Sequence, residues 1–131
     1  MRNLILLLIG LFLGAMGATV VSNTLQQRSA YTRGVMNVMQ HHYASLREDI
    51  RARRCDANRS AFAVAQLRAL SAEVAPAVYP DTTPDAPFRE FMQRLDDELT
   101  AATPPPAQCA DLAPLVQKIG KVCDDCHQQY R

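Results

Sequence analysis

Tryptophan is absent from this 131-residue chain, and phenylalanine and tyrosine number only four each. Sheet cores draw on aromatic and β-branched side chains. Here alanine and leucine dominate, which favours helix packing over a sheet. Charge of one sign is lacking too, since 14 Lys and Arg face 13 Asp and Glu. Without a basic excess the chain offers no surface for tracking phosphates, and no nucleic-acid partner is expected. No internal repeat and no useful strand-like alternation occurs, and the length beyond the N-terminal segment suits one compact domain of roughly 100 residues.

Charged and strongly polar residues are also missing from Leu4 to Val21, an apolar run of 18 residues interrupted only by glycine and Thr19. A cleavable export signal has an apolar core of about 7 to 15 residues and a membrane span needs about 20, so this run lies between the two. Ala15 and Gly17 give the small-x-small pattern for cleavage after Gly17. A buried core helix is a poor account of the run, because nothing polar marks a solvent face. Residues 1–23 are therefore read as a signal peptide or membrane anchor and residues 24–131 as the functional domain. Either way the domain is exported, to the periplasm as a soluble protein or held on the inner membrane.

What is present is helical periodicity. From about Leu25 to Arg53, the residues Val35, Met36, Met39, Tyr43, Leu46 and Ile50 recur at steps of three and four. Asp56 can cap a second helix, with Val64, Leu67, Leu70 and Val74 on one face, before Pro76 limits it. A proline-rich loop covers Tyr79 to Pro87. Thr83 or Asp85 then starts a third helix, with Phe88, Phe91, Met92, Leu95 and Leu99 on one face, and Pro104, Pro105 and Pro106 end it. The last helix runs from about Ala110, its apolar face built from Leu112, Leu115, Val116, Ile119 and Val122. Four amphipathic helices with short connections predict an all-α fold, an antiparallel four-helix bundle.

The chemistry is concentrated near the C-terminus. Cys123-Asp124-Asp125-Cys126-His127 is the Cys-x-x-Cys-His pattern of covalent haem attachment. Two thiols three residues apart can reach the two vinyl-derived carbons on one porphyrin edge, and the next residue projects an imidazole toward the iron. On a helix these three positions share one face and continue the stripe of Ile119 and Val122. A thioredoxin-like redox pair would need a βαβ context that this chain lacks. Structural zinc would need four ligands.

The motif's place at the end of the chain, as Cys123-x-x-Cys126-His127-x-x-Tyr130-Arg131, resembles the class II cytochromes c, the cytochrome c prime family. The resemblance covers about residues 25–131. It implies a four-helix bundle carrying one haem c on its last helix, bound through Cys123 and Cys126 with His127 as axial iron ligand. It also implies that the first helix supplies the residue on the other side of the iron, and Met36 matches that place. A bound thioether gives a six-coordinate, low-spin haem suited to one-electron transfer, as in the Met/His-ligated branch of the family; a merely adjacent Met36 leaves an open iron that binds nitric oxide or carbon monoxide. A methionine on an apolar stripe is otherwise ordinary core filling, and Met39, one turn on, is read as core.

Arg33, one turn from Met36, is a candidate for a haem propionate, although the family's basic residue usually stands one position earlier, where this chain has Thr32. The resemblance places Arg131 close to His127. His41 and His42 are read as surface or satisfied histidines rather than ligands. A peroxidase would need a distal His or Arg, for which His42 and Arg33 are the sole candidates, and no enzymatic turnover is expected. Redox partner proteins are expected instead, and pairing through the first helix, by resemblance, would give a homodimer. In an up-down-up-down bundle the first and third connections lie at the same end, so Cys55 and Cys109 can form a disulfide, which export permits. Two buried free thiols are the alternative.

Overall fold

The computed structural model describes the backbone of residues 2–130 and the side chains of residues 10–19, 22 and 29–130. The fold is all-helical, with no strand among the described residues: α1 (Arg2–Arg51), α2 (Ala57–Val78), α3 (Ala86–Ala101) and α4 (Cys109–Gln129). α1 packs on α2 and α4, and α3 packs on the same two.

α1 is one helix of 50 residues, about 75 Å long at the usual rise per residue. It includes both the N-terminal apolar run and the first amphipathic segment, with no backbone break between them. Leu11, Phe12, Leu13 and Met16 are exposed, whereas Val35, Met39 and Leu46 on the same helix are buried. α2 begins where the Asp56 carboxylate accepts from the Arg59 N–H at 2.8 Å, and α3 where Asp85 accepts from the Phe88 N–H at 2.8 Å. Each aspartate satisfies a donor that the first helical turn leaves unpaired. α2 runs two residues past Pro76 rather than stopping before it, ending on a bond from the Tyr79 N–H to the Ala75 carbonyl. A proline in a final turn removes one hydrogen bond and need not end the helix there.

The polar ties fix the helix directions. Tyr31 donates to Glu73 and Thr32 to the Ala77 carbonyl, each at 2.7 Å, while Asp49 pairs with Arg59 at 3.2 Å, so α1 and α2 run antiparallel. Tyr130, at the end of α4, donates to Asp85 at the start of α3 at 2.6 Å, so that pair is antiparallel too. The first and third connections meet at the opposite end. There Cys55 and Cys109 form a disulfide, closing a separation of 54 residues. α2 is long and apolar enough to cross a membrane by composition. Its stripe of Val64, Leu67 and Val74, however, lies in the core with Phe88, Leu99, Leu112 and Ile119.

Gly120 brings α4 close to α1. A Cβ built there would fall 1.9 Å from the Tyr43 hydroxyl and 2.8 Å from its Cζ, whereas one at Gly34 meets nothing within 4 Å. The same substitution should therefore act in opposite directions at the two sites. Gly34→Ala is expected to stabilise the protein by up to about 1 kcal/mol through helix propensity. Gly120→Ala gains the same propensity but displaces the Tyr43 ring, an overpacking cost of about 1 to 3 kcal/mol, and should lower stability. Chemical denaturation of the two variants reads the sign directly, and a Gly120→Ala protein as stable as the Gly34→Ala protein would show that Tyr43 is not held there.

Candidate functional site

All four helices contribute to one apolar cleft. α1 presents Met36, Met39 and Tyr43, α2 presents Leu67 and Val74, and α3 presents Phe91, Met92 and Leu95; α4 closes it with Ile119, Val122, Cys123, Cys126 and His127. The space between these walls, including the part open to solvent, is about 650 Å³. Helical periodicity explains the set. Positions 36, 39 and 43 lie on one stripe of α1, and 119, 122, 123, 126 and 127 on one stripe of α4.

Of the four cysteines, Cys55 and Cys109 are consumed by the disulfide, and Cys123 and Cys126 remain as free, half-buried thiols. His127 is exposed and stands at the edge of the cleft. Burial, with the Asp124 carboxylate and the neighbouring Cys126 adding to it, pushes the Cys123 thiol up to about 11. Burial also raises Cys126, against an opposing effect of the Arg94 cation. Thiol–disulfide exchange works through a thiolate, normally stabilised by a lowered pKa, so this environment is the reverse of what a redox-active pair needs.

Met36 is half-buried and faces into the cleft from α1, with the buried Met39 beside it. Arg33 is exposed and is not among the residues lining the cleft. Arg131 lies outside the described residues. His42 turns toward α2, its ring edge-on to Phe62 at 5.8 Å and to His41 at 5.3 Å. Burial first, and His41 second, lower its pKa. Neither His42 nor Arg33 is among the residues lining the cleft.

Two groups flank the cleft without lining it, and neither Asp85 nor Arg94 is read from the sequence as a functional residue. Asp85, read from the sequence as a helix cap, also accepts from the Tyr130 hydroxyl and, at 3.4 Å, from Tyr79. The bond from Tyr130, then that from the Phe88 N–H, holds the Asp85 carboxyl below its ordinary range; partial burial and the same carboxylate push Tyr130 up to about 12. Phe88 sits edge-on between the two tyrosine rings, 4.9 Å from Tyr79 and 5.3 Å from Tyr130. This cluster fastens the end of α4, three residues beyond His127, to the start of α3. The second group is Arg94, whose guanidinium lies 4.5 Å over the Phe91 ring. Its place beside Leu95 on the α3 stripe was the available clue.

No family model, curated protein or solved structure matches the chain.

Proposed function

We propose that the chain is an exported monohaem c-type cytochrome of class II type, a four-helix bundle behind an N-terminal signal or inner-membrane anchor, passing single electrons between redox partner proteins in the periplasm. The observation that carries this reading is the convergence of two free thiols, the adjacent imidazole and a facing thioether on one apolar cleft. The donor set suits haem c: thiols three residues apart for covalent attachment, an imidazole for one axial position and a methionine sulfur for the other. Haem c held there supplies the Fe(III)/Fe(II) couple.

The protein's own contribution is attachment, ligation and exclusion of water. Cys123 and Cys126 hold the group to α4, and His127 is placed by the same helical turn. Leu67, Val74, Phe91 and Leu95 supply the low-dielectric walls that separate the site from solvent. In this reading Met36 would offer its thioether to the iron and Arg131 would lie close to His127, as the family resemblance implies; Arg33, the candidate for a haem propionate, is exposed and outside the lining of the cleft. The near balance of charge gives only modest electrostatic steering of partners. Val38 on α1 and Phe62 on α2 are exposed apolar residues that a homodimer paired through α1 would cover.

The test is the absorption spectrum of the chain expressed with a cytochrome c maturation system, oxidised and reduced, with and without carbon monoxide, alongside Met36→Ala. The wild type is expected to be low-spin and indifferent to the gas, and Met36→Ala high-spin and open to it. A high-spin wild type that binds carbon monoxide moves the function to gas binding, and a colourless one sinks both.

A further inference from the structure

Among the described residues two buried polar side-chain atoms lack a hydrogen-bond partner, the Ser60 hydroxyl and the Nε of Arg94. Ser60 is neutral and lies in the first turns of α2, close in sequence to the disulfide. Arg94 carries a full charge that no protein environment removes. Its ion pair with Asp125 is long, 3.9 Å, and that carboxylate is already engaged by Lys121 at 3.2 Å. The guanidinium is stacked on Phe91, which is itself a wall of the cleft, and Asp125 sits immediately before Cys126. A cation is thus held beside the attachment motif with one buried donor unused and its nearest acid shared.

Stacking on an aromatic face fixes the guanidinium without neutralising it. A fixed, partly desolvated positive charge beside a redox centre favours the state with the lower positive charge, and such neighbours are one of a protein's levers on potential. We propose that Arg94 sets the potential of the site: stacked on Phe91 next to Cys126, it favours the reduced over the oxidised haem. The proposal rests on the haem reading above, and it gives Arg94 the role of a positioning charge rather than a ligand.

The experiment is a redox titration of the haem-loaded full chain, followed by absorption, for the wild type, Arg94→Gln and Arg94→Lys. At a fixed solution potential near the midpoint, the oxidised-to-reduced ratio is expected to rise about threefold in Arg94→Gln, the effect of one partly screened charge. Arg94→Lys is expected to restore most of it, and the Arg94→Gln difference should shrink in 1 M salt, where the Debye length falls to about 3 Å. A purely structural role would change the melting temperature without a salt-sensitive shift in the ratio. Arg94→Met, of similar volume and without charge, should raise the ratio alike and serves if Arg94→Gln does not take up haem. Haem-loaded variants with the wild-type ratio overturn the role of Arg94 alone; a wild type without haem removes the haem reading as well.

Discussion

With Cys123 and Cys126 both replaced by serine, the chain expressed with a cytochrome c maturation system is expected to carry no covalently bound haem. Attachment in the proposed reading would add each S–H across a vinyl double bond, forming a carbon–sulfur bond and passing the hydrogen to the neighbouring carbon. A hydroxyl is a far weaker nucleophile than a thiol and leaves the vinyl unreacted. Both thiols lie in the cleft wall, and neither is diverted into the disulfide, which occupies Cys55 and Cys109. Each single serine variant should retain one thioether, and the double variant none, with any residual pigment extractable into acidified organic solvent. Mass spectrometry of the intact protein shows whether any haem is covalently held, and the pyridine haemochrome band, which shifts with the number of unreacted vinyl groups, separates one thioether from two. A double variant that still holds haem through harsh denaturation would place the attachment elsewhere and undo the assignment of the motif.

The second large effect belongs to the opposite end of the molecule. Cys55→Ser with Cys109→Ser should destabilise the protein by about 4 kcal/mol, from the entropy of a loop closed across a sequence separation of 54. For a domain of this size that corresponds to a melting temperature lower by roughly 15 °C or more. The expected comparison is three melts, of the wild type, the wild type with reductant, and the double serine variant, with the last two coinciding. The cleft is lined by neither cysteine, so a haem-loaded serine variant should keep its absorption spectrum while losing stability. Equal melting temperatures in all three would mean the crosslink contributes nothing under those conditions.

Much of this was readable in the chain because it is local. Apolar residues at steps of three and four mark the stripes of all four helices, and Asp56 and Asp85 stand at the helix starts that their side chains cap. The all-helical class, the Cys55–Cys109 disulfide and the common face of Cys123, Cys126 and His127 follow from such patterns. Pro76 misled as a stop signal, since its cost depends on how many turns follow it, and only two residues do. The continuity of α1 was also hidden, because the change from an all-apolar to an amphipathic segment reads as a boundary although the backbone has none. Least legible were contacts between distant residues. Tyr130 and Asp85 are 45 positions apart, and their bond leaves no periodic trace. Gly120 likewise looks like a weak point in a helix until Tyr43 is seen filling the space.

The two ends of the molecule are closed by unlike means, a covalent bond joining the first and third connections and a carboxylate gathering two tyrosines at the end of α4. Breathing of the native protein is therefore expected to be one-sided, like a book that opens opposite its spine. The last turns of α4 should exchange their amide hydrogens through local openings, while a buried, hydrogen-bonded amide near the crosslink such as that of Leu112 should exchange mainly when the whole chain unfolds. The segment that loosens first is the one bearing both free thiols. In the proposed reading this spine would keep the helices in register while the pages near Cys123 and Cys126 part to admit the haem.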